Sequence, residues 1–243
     1  MPKSENAGYR QQLAAELKAA PKENQRDILD KAQQDPEYWQ SKSERAIKNQ
    51  EETSTDDCLG VFIKHKTLYH GTGITNIKIF KPAEETTVGE GVYLTSQAKG
   101  AIGYSIDRSK GTDKEPHIYE TVVENVKLLD LRNDANVQQI VPGFRILINS
   151  KLAQVTDKDP WYVKHGLLGI LDEIDGNKVK VGWLKLIAQS EGKLFSEYVQ
   201  SLGYDGLIAI EGGESEHTED HDTYLIFDPE KIKIKGEHKI VRS

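Results

Sequence analysis

The stretch that decides the fold is LYHGTGITNIKIFKPAEETTVGEGVYLTSQAKGAIGYS, Leu68 to Ser105. It opens as a short apolar strand ending in His70-Gly71-Thr72 and continues into a polar loop. A second strand follows over Gly91-Val92-Tyr93-Leu94-Thr95, and then a small-residue helix carries Tyr104. A His, two Tyr and clustered Gly thus share one strand–loop–strand–helix frame. Gly at 71, 73, 89 and 91 lets backbone come close to a ligand, because no Cβ intervenes. A His at the strand end is placed to hydrogen-bond that ligand.

This stretch resembles the nucleotide-binding signature of ADP-ribosyltransferases of the diphtheria-toxin and poly(ADP-ribose) polymerase type. In that family a His-Gly pair closes the first strand, a G-x-Y strand follows, and a second Tyr lies on the next helix at the spacing seen from Tyr93 to Tyr104. The resemblance implies NAD as substrate, with His70 on the adenosine ribose and the Gly71 backbone reading the nicotinamide amide. Tyr93 and Tyr104 would sandwich the nicotinamide ring, with Thr72 beside them. Where the family often has a Ser three residues before the second Tyr, this chain has Ala101, so one polar contact is expected to be missing.

Working outward, Leu59 to Tyr69 reads as the approach to the first strand. After a charged loop from Asp107 to Pro116, HIYETVVENVKLLDL alternates and is β-branched, as strands are. Asn133 to about Thr156 looks helical in part, interrupted at Pro142-Gly143. Trp161 to Ile174 is ambiguous between helix and strand, Asp175-Gly176-Asn177 is a turn, and Trp183 to Leu202 reads as a helix that stops at Gly203. Gly203-Tyr-Asp-Gly206 turns into a strand over Leu207 to Ile210. An acidic loop from Glu211 to Asp222 then leads to the strand Tyr224 to Phe227, closed by Asp228-Pro229. Helix–GYDG–strand–loop–YLIFDP is again similar to the end of the ADP-ribosyltransferase fold. The expected class is α+β, with split antiparallel β-sheets flanked by helices.

Residues 1 to about 57 read as a small helical region. Tyr9, Leu13, Leu17 and Ala20 recur at helical spacing up to Pro21. A second helix carries Ile28 and Leu29, and a third starts at Pro36 and carries Tyr38, Trp39 and Ile47. With so few apolar residues these helices are expected to dock on the main domain or on a partner protein. Glu51 to Asp57 reads as a polar linker, giving a division into 1–57 and 58–243.

The third element of the family's site is where the chain departs. The bond to nicotinamide breaks with oxocarbenium-like character, so a carboxylate near the ribose stabilises the transition state and can accept the acceptor's proton. The family usually has Glu immediately before the Tyr of the final strand; here that position is Thr223, whose hydroxyl can still reach the ribose. Asp222 precedes it, on the opposite face of a period-two strand. Either the backbone bends to present Asp222, or Glu219 or another loop acid serves, or the site is inactive.

The rest of the chain narrows the function. Of its 243 residues 29% are charged, the net charge is −7, and no apolar run approaches bilayer length. A soluble, cytoplasmic protein without membrane contact is expected, with secretion by a route lacking a signal peptide left open. The acidic balance argues against a broad electrostatic grip on nucleic acid. Cys58 is the only cysteine, so it forms no disulfide within the chain. His217-Thr-Glu-Asp-His221 would suit zinc only if helical, and no metal is expected. Gly71-x-Gly73 lacks the third Gly and the βαβ context of a Rossmann fingerprint. The reading is a toxin-like mono-ADP-ribosyltransferase that moves ADP-ribose from NAD to a macromolecular acceptor, protein or nucleic acid. The alternatives are an NAD glycohydrolase and a non-catalytic NAD- or ADP-ribose-binding module. An RNA phosphotransferase on the related fold lacks a persuasive Arg pattern.

Overall fold

The computed structural model describes residues 6–39, 42, 52–54, 59–83, 89–175, 184–211 and 221–241. Glu219, His217, Cys58 and the turn at Gly176-Asn177 lie outside them. The helices are α1 (Asn6–Ala19), α2 (Lys22–Ala32), α3 (Ala98–Ser109), α4 (Asp134–Leu152), α5 (Trp161–Asp175) and α6 (Leu184–Ser201). The strands are β1 (Glu52–Ser54), β2 (Gly60–Thr72), β3 (Val92–Thr95), β4 (His117–Asp130), β5 (Gly206–Glu211), β6 (His221–Ile226) and β7 (Ile232–Lys239).

The strands form two antiparallel sheets, β1-β2-β4-β7 and β3-β6-β5, joined at two short seams. One seam is the single pair Tyr69↔Thr95 between β2 and β3. The other runs parallel, Leu128 to Asp130 of β4 beside Gly206 to Ile208 of β5. Asp205 pins the second seam, taking the Lys127 N–H at 2.9 Å and the Lys231 ammonium at 2.6 Å. The β-branched and aromatic content of β2 and β4 suits this long pairing. The expected split antiparallel arrangement, with helices outside it, is the α+β architecture observed.

Alternation on the strands sorts the core into layers. Between the sheets lie Ile63, Leu68, Tyr119, Val123 and Leu128, facing Leu94, Ile208, Tyr224 and Ile226. The outer face of β3-β6-β5 carries Leu207, Ala209 and Leu225 under Phe144, Ile148, Leu167, Phe195 and Val199 of α4 to α6. The outer face of β2 and β4 carries Tyr69 and Ile118 under Ala98, Ala101 and Ile102 of α3. Among the described residues no helix is long and apolar enough to cross a membrane.

Two sequence expectations change, and the docking expected of the N-terminal helices is observed for Trp39. Residues 134–152 form one helix through Pro142, which ends only at Leu152. An interior proline loses one backbone donor and crowds the preceding turn, but Val137, Ile140, Val141, Phe144 and Ile148 bury one face and hold it. Gly143 lets Tyr198 in: a Cβ there would meet the Tyr198 hydroxyl at 2.3 Å, and that hydroxyl donates to the Ile140 carbonyl at 2.8 Å. Within the expected polar linker, Glu52–Ser54 is an edge strand paired with Val61 to Ile63. The helical turn at Pro36 brings Trp39 into the layer under α3, fully buried, its ring 6.1 Å from that of Tyr69 and its Nε1 donating to Gln33 O at 2.7 Å.

Candidate active site

β2 and β3 meet at Tyr69↔Thr95 and then diverge. Continued register would set Gly71 opposite Tyr93 and Thr72 opposite Val92, yet among the described residues no further pair joins them. On its other edge β2 stays fully paired, with His70, Gly71 and Thr72 opposite Tyr119, Ile118 and His117. The parting of the two strands beside His70-Gly71-Thr72 is the candidate groove, with β2 on one side and β3 on the other.

His70 spans this groove. Its Nδ1 lies 2.8 Å from the Tyr93 carbonyl oxygen. A carbonyl only accepts, so Nδ1 carries the proton, and in the neutral ring the lone pair falls on Nε2. Burial lowers the pKa of His70 below the ordinary 6.5; the Tyr93 carbonyl opposes this, and the positive charge of Arg108 on α3 adds to the lowering. Phe80 packs edge-on against the imidazole at 4.8 Å and against Tyr119 at 5.7 Å. The Tyr119 hydroxyl donates to Ile74 O at 3.1 Å and accepts from the Ile77 N–H at 3.2 Å, so it fixes the loop leaving the groove. Burial first of all pushes that phenol up to about 12.

Gly71 also serves the packing of α3. A Cβ there would fall 1.7 Å from the Ala101 carbonyl oxygen, so the missing side chain is what lets α3 lie on β2. Ala101, at the position where the family often has Ser, is buried in that contact. The Thr72 hydroxyl accepts from the Ile74 N–H at 3.2 Å, which turns the chain out of the strand.

The half-buried Tyr93 donates its hydroxyl to Gly89 O at 2.9 Å. It stands opposite Leu225, and Thr95 stands opposite Thr223. Directly opposed residues share a face, so Tyr93, Thr95 and Thr223 lie on the outer face of β3-β6-β5. Tyr104, on α3, meets the ring of His221 edge-on at 5.9 Å.

Asp222 sits elsewhere. β6 is regular from His221 onward, so the backbone bend needed to bring Asp222 toward Tyr93 does not occur, and its side chain takes the opposite face from Thr223. There Arg132 Nη1 donates to Asp222 at 2.7 Å, while Nε and Nη2 fork onto Asp130 at 2.8 and 2.6 Å. These bonds, to Asp130 first, hold the guanidinium still more firmly protonated. Sequence reasoning passed over Phe80 and Arg132, and counted Glu211 only as the start of the acidic loop. Glu211 ends the apolar run GLIAIE and is buried, the only available signal having been a strand alternation that carries into the acidic segment. Among the described residues no cluster of three or more His, Cys, Asp or Glu is arranged to hold a metal ion.

The family comparison agrees with the motif reading. The family model described as ADP-ribosyltransferase in polyvalent proteins matches residues 64–239. Among solved structures, the chain is similar to one in the crystal structure of the M. tuberculosis MbcT–MbcA toxin–antitoxin complex. That likeness has 10% identity and a TM-score of 0.43, and covers 76% of this chain and 89% of that one. No curated protein matches the chain. The match over 64–239 spans the groove, both tyrosines and the closing strands, and the chain belongs to the family of ADP-ribosyltransferases found in polyvalent proteins.

Proposed function

We propose that the chain is a mono-ADP-ribosyltransferase that takes NAD into the groove between β2 and β3, passes ADP-ribose to a macromolecular acceptor and releases nicotinamide. The observation that carries this reading is the opening of the two strands past Tyr69↔Thr95, bridged by His70 Nδ1 to the Tyr93 carbonyl. In this reading the nicotinamide ring enters between the strands, and the Gly71 backbone takes its amide. The neutral His70 offers Nε2 as an acceptor for a ribose hydroxyl. Tyr93 and Tyr104 lie on the strand and helix that border the gap, and Thr72 and Thr223 offer further polar contacts.

In the reaction the C1′–N bond of the nicotinamide riboside breaks and its electron pair leaves with neutral nicotinamide. The acceptor's nucleophilic atom bonds to C1′ and its proton passes to a base. None of these steps calls for a metal. Protein and nucleic acid are both candidate acceptors, with water the acceptor in a glycohydrolase. Thr223, a hydroxyl at the position where the family usually has Glu, favours a second reading in which the groove binds NAD or ADP-ribose without turnover.

Incubation with NAD labelled on the adenylate, together with cell lysate or defined RNA and DNA, separates these outcomes. Covalent label on a macromolecule supports transfer and identifies the acceptor class. Free ADP-ribose supports hydrolysis. Intact NAD with measurable affinity supports the binding module, and no affinity at all ends the NAD reading.

A further inference from the structure

We infer that Glu211, at the end of β5, supplies the carboxylate of this site. The inference rests on the proposed ADP-ribosyl transfer. Glu211 stands directly opposite His221 in the last pair of the β5–β6 ladder, and both are buried, at 6% and 3% exposure. Opposed residues share a face, and that face is set by the preceding same-side pair, Ala209↔Thr223. It is therefore the face of Tyr93, Thr95 and Thr223. His221 lies under α3, against the Tyr104 ring, and its Cδ2 would be 3.3 Å from a Cβ on Gly100. The side chains on this face thus run from Tyr93 through Thr95 and Thr223 to His221 and Glu211, with Tyr104 against His221.

Glu211 ends the strand GLIAIE and is the one acidic residue of that strand. It is one strand over and two residues along from Thr223. Asp222 is closer in sequence but faces the other way, toward Arg132. In the transfer step Glu211 lies beside the ribose as C1′–N breaks, offsets the positive charge that develops at C1′, and takes the proton from the acceptor's attacking atom. That proton then passes to water, leaving the carboxylate as it began.

The test uses the full chain and NAD, with nicotinamide release for turnover, calorimetry for affinity and a thermal melt for folding. Glu211→Gln keeps size and removes charge. Turnover is expected to fall by about 10²-fold or more, with NAD affinity within about threefold of wild type. Adding Thr223→Glu to that variant places a carboxylate on the same face at the family's position and is expected to restore at least about tenfold. Should the Gln variant melt early, Glu211→Asp keeps the charge, retracts it by one methylene and is expected to lose about tenfold in turnover at unchanged affinity. Wild-type turnover in Glu211→Gln, or in a folded Glu211→Asp, overturns the inference while leaving the transferase intact. A wild-type chain that binds NAD without turnover also overturns it. Absence of both binding and turnover in the wild type removes the underlying function as well.

Discussion

His70 is neutral because of where it sits, and this gives it a pH signature. Its folded-state pKa lies below the ordinary 6.5, chiefly through burial. A depressed value means that the unfolded chain binds the proton more readily, so the stabilisation is present above about pH 6.5 and is lost as the pH falls through the folded value. The stability gap between wild type and His70→Gln, measured by urea unfolding, is therefore expected to shrink between about pH 8 and about pH 5. A constant gap would contradict the neutral assignment. Arg132 makes a second residue-scale case. Its fork onto Asp130 and its bond to Asp222 tie the ends of β4 and β6 together, and Arg132→Ala is expected to cost about 2 kcal/mol of stability in the same assay. Both residues show what a sequence reveals at this scale. The nearness of His70 to Tyr93 was legible because Gly71 and the G-x-Y strand sit at fixed spacing around it. Arg132 and Glu211 were not, because their partners lie in strands far along the chain and the face each takes depends on register.

α3 and β2 come together because two small residues meet. Gly71→Ala would push a methyl carbon to 1.7 Å from the Ala101 carbonyl, a clash with backbone that no rotamer relieves. Chemical denaturation is expected to show a loss of at least about 2 kcal/mol, together with weaker NAD binding as the wall of the groove shifts. A fully stable Gly71→Ala protein would mean that the helix does not lie this close. The existence of β2, β3 and α3 was readable from alternation, turn residues and the small-residue run. The course of α4 was not: Pro142-Gly143 signals a break locally, whereas the break is overridden by a buried face and by Tyr198 filling the space over Gly143. β1 escaped notice because Glu52–Ser54 has no apolar pattern and exists by pairing with β2.

At the scale of the whole molecule the N-terminal region is tied to the core behind the groove. Trp39 packs on Tyr69, the neighbour of His70, and on His238 of β7 at 4.3 Å. The Val241 N–H donates to Gln34 O at 3.3 Å, and Lys42 reaches Glu120 at 2.5 Å. Trp39→Ala is expected to cost about 3–5 kcal/mol, and a chain starting near Cys58 to melt well below the full chain; equal melting temperatures would make these helices a separate appendage. Both sheets, their two seams and the docked helices converge on the place beside His70 where β2 and β3 part, which is the proposed NAD site. Calorimetric titration of NAD into the full chain and into His70→Ala tests this most directly. The account requires saturable binding by the wild type and affinity at least about tenfold weaker in the variant, measured where both proteins are folded. Equal affinity in both proteins would contradict it.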